Sequence, residues 1–146
     1  MTLVDSNILF DLLTRDPTWS AWSLAQLDAA SVAGPLLIND IIYAELAARY
    51  ESIELLDGFL GETGLEIAPM PRQALFLAAR AHNKYRASGG TRTGVLPDFF
   101  IGAQAMVSGY ELITRDAARY RTYFPNVRLI SPQTNYGSHA LPLLPV

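Results

Sequence analysis

Two kinds of pattern alternate along the chain. Short, largely apolar runs recur at Thr2–Val4, Leu36–Ile38, Leu65–Ala68, Glu111–Thr114 and Val127–Ile130. Runs of that length, with β-branched residues and turn-forming flanks, are predicted strands. Between them apolar residues recur at helical spacing. The predicted helices are a turn or two over Ile8–Leu13, a helix from the Asp16-Pro17 turn through about Ala30, and one that carries Glu45 to about Tyr50. Further helices are predicted over roughly residues 51–61, from Pro71 to about Ala87, from about Pro97 to Ser108, and for a turn or two over 117–123. Proline suits a first helical turn, and Asn39 or Asp40 can cap the helix that follows it. Gly34-Pro35 breaks the chain, and Ser88–Gly94 reads as a loop because clustered Gly, Ser and Thr disfavour regular structure. Strands alternating with helices predict an α/β fold with a mainly parallel sheet. There is no internal repeat and no low-complexity tract.

A chain of 146 residues suits one domain, and with half its residues hydrophobic it can bury a core. We expect that domain over residues 1–132, with an irregular, proline-containing tail over 133–146. No uncharged apolar run reaches about 18 residues, and the start has no basic segment, so neither a membrane span nor a signal peptide is expected. The absence of cysteine excludes disulfides, zinc-thiolate sites and thiol catalysis, and agrees with a cytoplasmic protein.

The net charge of −3 argues at first against a nucleic-acid partner, but its distribution alters that. Residues 1–66 hold eleven acids and two bases, and residues 67–146 hold three acids and nine bases. Arg72, Arg80, Lys84, Arg86 and Arg92 fall in a stretch, Glu66 to Asp98, with no acid between its ends. Such segregation can present a polyanion-binding face despite an acidic total, although a solvated helix face would look the same.

Four acids stand out. Asp5 follows the first strand, Asp116 follows the strand ending at Thr114, Asp98 opens a helix beside the glycine-rich loop, and Glu45 lies on the helix after the second strand. Each has a local explanation: an Asx-turn at Asp5, helix starts at Asp98 and Asp116, a solvated position for Glu45. Together they would meet at the carboxyl ends of parallel strands, where open α/β sheets bind ligands. Two unit charges about 4 Å apart repel by roughly 4 kcal/mol at an effective dielectric of 20, so gathered carboxylates either keep protons or bind cations. An all-oxygen set favours magnesium or manganese.

Several segments carry a more specific likeness. They are Leu3-Val4-Asp5-Ser6-Asn7-Ile8, Ala44-Glu45-Leu46, Leu96-Pro97-Asp98-Phe99-Phe100-Ile101-Gly102-Ala103-Gln104-Ala105, Leu112-Ile113-Thr114-Arg115-Asp116, and Arg119 to Pro125. On these the chain resembles the PIN domains, and within them the VapC toxins of toxin–antitoxin pairs, over roughly residues 2–132. The resemblance implies a three-layer α/β/α PIN fold and a metal-dependent endoribonuclease that cuts structured RNA, such as tRNA or ribosomal RNA. It implies that Asp5, Glu45, Asp98 and Asp116 bind one or two magnesium or manganese ions, with Asn7 and Thr114 in support. It implies a VapB-like antitoxin that fills an apolar groove and often sends a basic side chain toward the acids, and a homodimer. Relatives often carry an acid or Asn just after the position of Asp116, where Ala117 and Ala118 stand here; the number of metals therefore stays open.

Arg80, Lys84, Arg86 and Arg92 are the candidates for holding RNA phosphates, since Lys and Arg supply most sequence-independent affinity. Arg115 either joins them or pairs with a neighbouring acid. His82 reads as a surface or interface residue rather than a catalytic base, and Trp19, Trp22 and Leu27 as core, with Leu141, Leu143 and Leu144 as a possible partner-binding segment. A phosphoacceptor receiver domain would need a lysine after a late strand, but the only lysine is Lys84, in a predicted helix. A haloacid-dehalogenase-like phosphatase would need Asp-x-Asp where Asp5-Ser6-Asn7 stands. A non-catalytic binding module on the same fold remains the alternative.

Overall fold

A computed structural model describes residues 1–132; the tail expected over 133–146, with Leu141, Leu143 and Leu144, lies outside the described residues. The elements run β1 (Thr2–Val4), α1 (Ser6–Leu13), α2 (Ser20–Ala33), β2 (Leu36–Ile38), α3 (Asp40–Ala47) and α4 (Ile53–Thr63). They continue with β3 (Leu65–Ile67), α5 (Arg72–Ala87), α6 (Leu96–Ser108), β4 (Glu111–Ile113), α7 (Ala118–Tyr123) and β5 (Leu129–Ile130). The five strands form one sheet in the order β3-β2-β1-β4-β5, and every pairing is parallel. With its flanking helices the sheet makes a three-layer α/β/α fold.

The sheet has helices on both faces, which is why its strands read as apolar runs rather than alternating ones. β1 and β2 are buried at every position. The chain builds outward from β1 to β2 and β3, then returns to add β4 and β5 on the other side. That reversal puts a switch point between β1 and β4, where two neighbouring strands send their following segments apart and leave a crevice.

Local chemistry sets the helix ends. Asn39 caps α3 by accepting from the Ile42 amide at 2.9 Å, and Ser52 caps α4 by accepting from the Leu55 amide at 3.2 Å. Gly109 closes α6 at φ 71°, a left-handed conformation that glycine takes without strain. α5 and α6 pack through small residues, Ala74, Ala78 and Ala81 on one and Gly102, Ala103 and Ala105 among the buried positions of the other. Gly102 has no room for more: a Cβ there would stand 2.4 Å from the Phe124 ring.

Some boundaries differ from the sequence expectation. α2 starts at Ser20, because Asp16 Oδ1 accepts from the Thr18 and Trp19 amides at 2.8 Å and holds that stretch as a separate turn. α1 starts earlier, at Ser6, under the Asp5 cap. α3 ends at Ala47 rather than near Tyr50. β3, β4 and β5 are each shorter than their apolar runs. No helix of the described residues is long and apolar enough to cross a membrane.

Candidate active site

Asp5 sits directly after β1 at the switch point and is 4% exposed. Its Oδ1 accepts from the Ser6 amide at 2.8 Å, so it does cap α1. Its Oδ2 accepts from Thr114 Oγ1 and from the Tyr120 hydroxyl, each at 2.9 Å. Burial pushes the Asp5 carboxyl up to about 7, the charges of Asp98 and Glu45 add to the rise, and the Thr114 and Tyr120 hydrogen bonds oppose it.

Thr114, just past β4, is a junction. Its hydroxyl donates to Asp5, accepts from Asn7 Nδ2 at 3.3 Å, and accepts from the Asp116 amide at 3.1 Å. Asn7 Oδ1 in turn accepts from the Arg115 amide at 3.2 Å. Asn7 and Thr114 thus tie the segment after β1 to the segment after β4.

Glu45 reaches the crevice from α3 and accepts from Ser6 Oγ at 3.0 Å. Burial raises its carboxyl, Ser6 opposes the rise, and the Asp98 charge adds to it. Asp98 enters from the first turn of α6, opened by Pro97. Burial raises it, the paired Arg119 lowers it, the Asp116 charge raises it and Arg92 lowers it. Asp116 is exposed beside β4 and does not cap α7, whose N-cap is Ala117. The buried Tyr120 hydroxyl is held protonated well above its usual range, by burial first and then by the charges of Asp5, Asp98 and Glu45. Acids from β1, α3 and α6 therefore share one electrostatic crevice, with Asp116 at its edge.

The gathering is looser than the sequence reading expects. Among the described residues no three acids or histidines stand at the spacing of an ion-binding cluster. Three of the four carboxylates have partners of their own: Tyr120 and Thr114 for Asp5, Ser6 for Glu45, and Arg119 for Asp98 at 2.5 Å. In kind the donor set fits a hard divalent ion, since the acids offer only oxygen and a cation would offset charges that now raise one another.

The proposed RNA-binding residues divide. Arg80 and Lys84 line an open groove of about 1490 Å³ along α5, with Arg72, Phe76, Tyr123 and Pro125, and no acid among the described residues lines it. Arg86 and Arg92 line a separate hollow of about 490 Å³ with His82 and the glycine-rich loop. Neither hollow is the acid crevice, but the Tyr123 ring of the groove lies 6.1 Å from the Tyr85 ring, over which Arg119 sits. Of the two readings for Arg115, the structure shows the pairing: it forks onto buried Asp11 at 2.7 and 2.9 Å and lies over the Trp19 ring. His82 is half-buried, with its ring against Tyr85 and Phe99.

Ser6, Arg119 and Tyr120 were not singled out for the site by sequence reasoning. A signal existed for two of them. Arg119 and Tyr120 open the segment Arg119 to Pro125 that carries part of the family likeness.

The PIN domain profile matches residues 2–125. The chain belongs to the PIN domain family. No curated protein matches it. This PIN domain is similar in fold to several solved structures. One is VapBC2 from Rickettsia felis bound to a DNA fragment from its promoter, with a TM-score of 0.68 at 19% identity, covering 89% of this chain and 97% of that one. FitAcB from Neisseria gonorrhoeae gives 0.64 at 19% identity, covering 90% and 98%. A toxin–antitoxin complex from Klebsiella pneumoniae gives 0.58 at 22% identity, covering 90% and 98%.

Proposed function

We propose that this PIN domain is a magnesium- or manganese-dependent endoribonuclease and the toxin of a VapBC-type pair. PIN domains are generally nucleases, and they generally use divalent metals. The observation that carries the reading is the crevice at the β1/β4 switch point, where Asp5, Glu45 and Asp98 arrive from three elements and the Asp98 charge raises the proton affinity of both Asp5 and Glu45. Carboxylates so arranged are costly for the fold alone and useful for a cation.

Asp5, Asp98 and Asp116 are the residues that would hold the ion, and Glu45 would share in that or orient the attacking water. A bound divalent ion supplies activation of water and neutralisation of charge on the phosphodiester. The chain's own part is to fix the geometry. Thr114 and Tyr120 orient Asp5, Ser6 orients Glu45, and Asn7 locks the two strand-end segments together. Arg80 and Lys84 along the groove, with Arg86 and Arg92 at the second hollow, would hold RNA phosphates on either side of α5. Arg115 drops out of that set, because its guanidinium is spent on Asp11.

An antitoxin partner is supported by the similar structures, which include VapBC and FitAcB complexes. We expect a VapB-like protein encoded by a short neighbouring gene with a DNA-binding amino half, and a homodimer of this chain. The deciding experiment titrates manganese into the protein and follows cleavage of total RNA, with Asp98→Asn as control and the cut ends mapped. Loss of both metal binding and cleavage in the variant, with 5′-phosphate ends from the wild type, is expected. Cleavage that persists in EDTA would overturn the metal-dependent reading.

A further inference from the structure

We propose that Arg119 is the internal counter-cation of the acid crevice, a positioning residue for Asp98 that an incoming divalent ion must displace. The proposal rests on the metal-dependent reading above and deepens it. Arg119 Nη1 donates to Asp98 Oδ2, and the two side chains are only 12% and 28% exposed. At that burial the pair is poorly screened, so it contributes more than a typical surface ion pair.

The cations near Asp98 differ in what they do. Arg92 acts on it only at a distance, as a lesser charge effect. Arg115 is committed to Asp11. Arg119 is in direct contact with an acid of the crevice. The charges facing it are Asp98 in contact, with Asp116, Asp5 and Glu45 acting on the same crevice from β4, β1 and α3.

Two features make Arg119 exchangeable rather than merely structural. Its guanidinium also lies over the Tyr85 ring, 5.6 Å from the centroid, and that ring is packed against Phe99 and Tyr123. A cation–π seat of this kind can hold an arginine whose carboxylate has been taken. Its backbone is also fixed, because the next residue, Tyr120, is anchored on Asp5 and Phe124 is wedged against Gly102. Released from Asp98, the side chain stays at the rim of the crevice. The consequence is that the acids bind a divalent ion more weakly than their number implies, since part of the binding energy goes to breaking the Asp98–Arg119 pair.

The test is manganese binding by calorimetry on the whole chain, at fixed pH and ionic strength, for the wild type, Arg119→Gln and Arg119→Lys. Arg119→Gln is expected to bind manganese about tenfold tighter, and Arg119→Lys, which restores a charge, to stay within about threefold of wild type. A purely structural role would leave affinity unchanged or lower in both. Equal or weaker binding by Arg119→Gln, while the wild type binds, overturns the counter-cation and leaves the metal site standing. If no form binds manganese, the metal-dependent reading falls and takes this inference with it. A measurement on the unmodified protein guards against a misfolded variant: magnesium should shift the Arg119 Nε–Hε resonance, and a resonance unmoved at saturation overturns the proposal.

Discussion

Asp5 has two roles that pull in opposite directions. As the N-cap of α1 and the acceptor for Thr114 and Tyr120 it is best ionised, yet burial beside Asp98 and Glu45 favours its proton. Burial wins, and the carboxyl is pushed from 3.8 up to about 7. The stability effect follows from the sign. The folded state holds the proton more tightly than the unfolded chain, so stability is greatest below about pH 4 for this group and is lost as pH rises toward 7 and beyond. The full effect is at most about 4 kcal/mol. Asp5→Asn should therefore stabilise the protein in EDTA at pH 8 and do little at pH 4, while ending RNA cleavage. Urea unfolding at the two pH values reads this out, and an equal effect at both would show that Asp5 is not strained. Tyr120→Phe should act oppositely, costing about 1–3 kcal/mol at pH 8, where an ionised carboxylate loses a donor, and less at pH 5. At this scale the acids were legible because strand ends and a helix start mark them in the pattern. Ser6, Arg119 and Tyr120 were not, because a serine beside a cap and an arginine and tyrosine on a short helix look like ordinary surface and core until the tertiary contacts assign them.

The elements bring those residues together through close packing, and α7 shows how narrow the tolerance is. This six-residue helix presents Arg119 to Asp98 and Tyr120 to Asp5, and its C-cap Phe124 fills the space left by the missing side chain of Gly102 on α6. Gly102→Ala should force the Phe124 ring aside, costing about 1–3 kcal/mol and loosening both acid contacts. Gly58 on α4 is the control, with nothing within 4 Å of an added Cβ. There alanine's better helix propensity should stabilise by up to about 1 kcal/mol. Thermal melts of the two variants decide it, and a neutral Gly102→Ala would mean that α7 adapts without strain. The order and type of these elements were readable from apolar spacing, since strand runs and helical stripes differ in period. Their ends were less readable. The late start of α2 depends on Asp16 capturing two amides, a side-chain contact that no hydrophobic period records.

Over the whole molecule the charges separate. Residues 1–66 carry a net −9 and residues 67–146 a net +6; the cations that would hold RNA all come from the second segment, while Asp5 and Glu45 come from the first. The fold interleaves them, since Asp98 and Asp116 enter the crevice from the basic half. An overall charge of −3 predicts weak attraction to RNA, but the acid-free groove along α5 predicts a local one, and the local field governs binding within a Debye length of about 10 Å. The two views separate in the dependence of RNA affinity on salt. Arg80 and Lys84 lie one turn apart on α5, about 6 Å along its axis, a spacing suited to touching two phosphates of one strand. If each holds one, replacing both with glutamine should weaken RNA binding at low salt and reduce the slope of log affinity against log salt by ~1.4, from about 0.7 per contact on a single strand. Arg115→Gln should leave that slope unchanged, because its guanidinium is already neutralised by Asp11. Filter binding of an uncleaved RNA in EDTA, from about 50 to 200 mM salt, separates the cases. A slope unaltered by the double substitution would move the RNA path from the α5 groove to the hollow of Arg86 and Arg92.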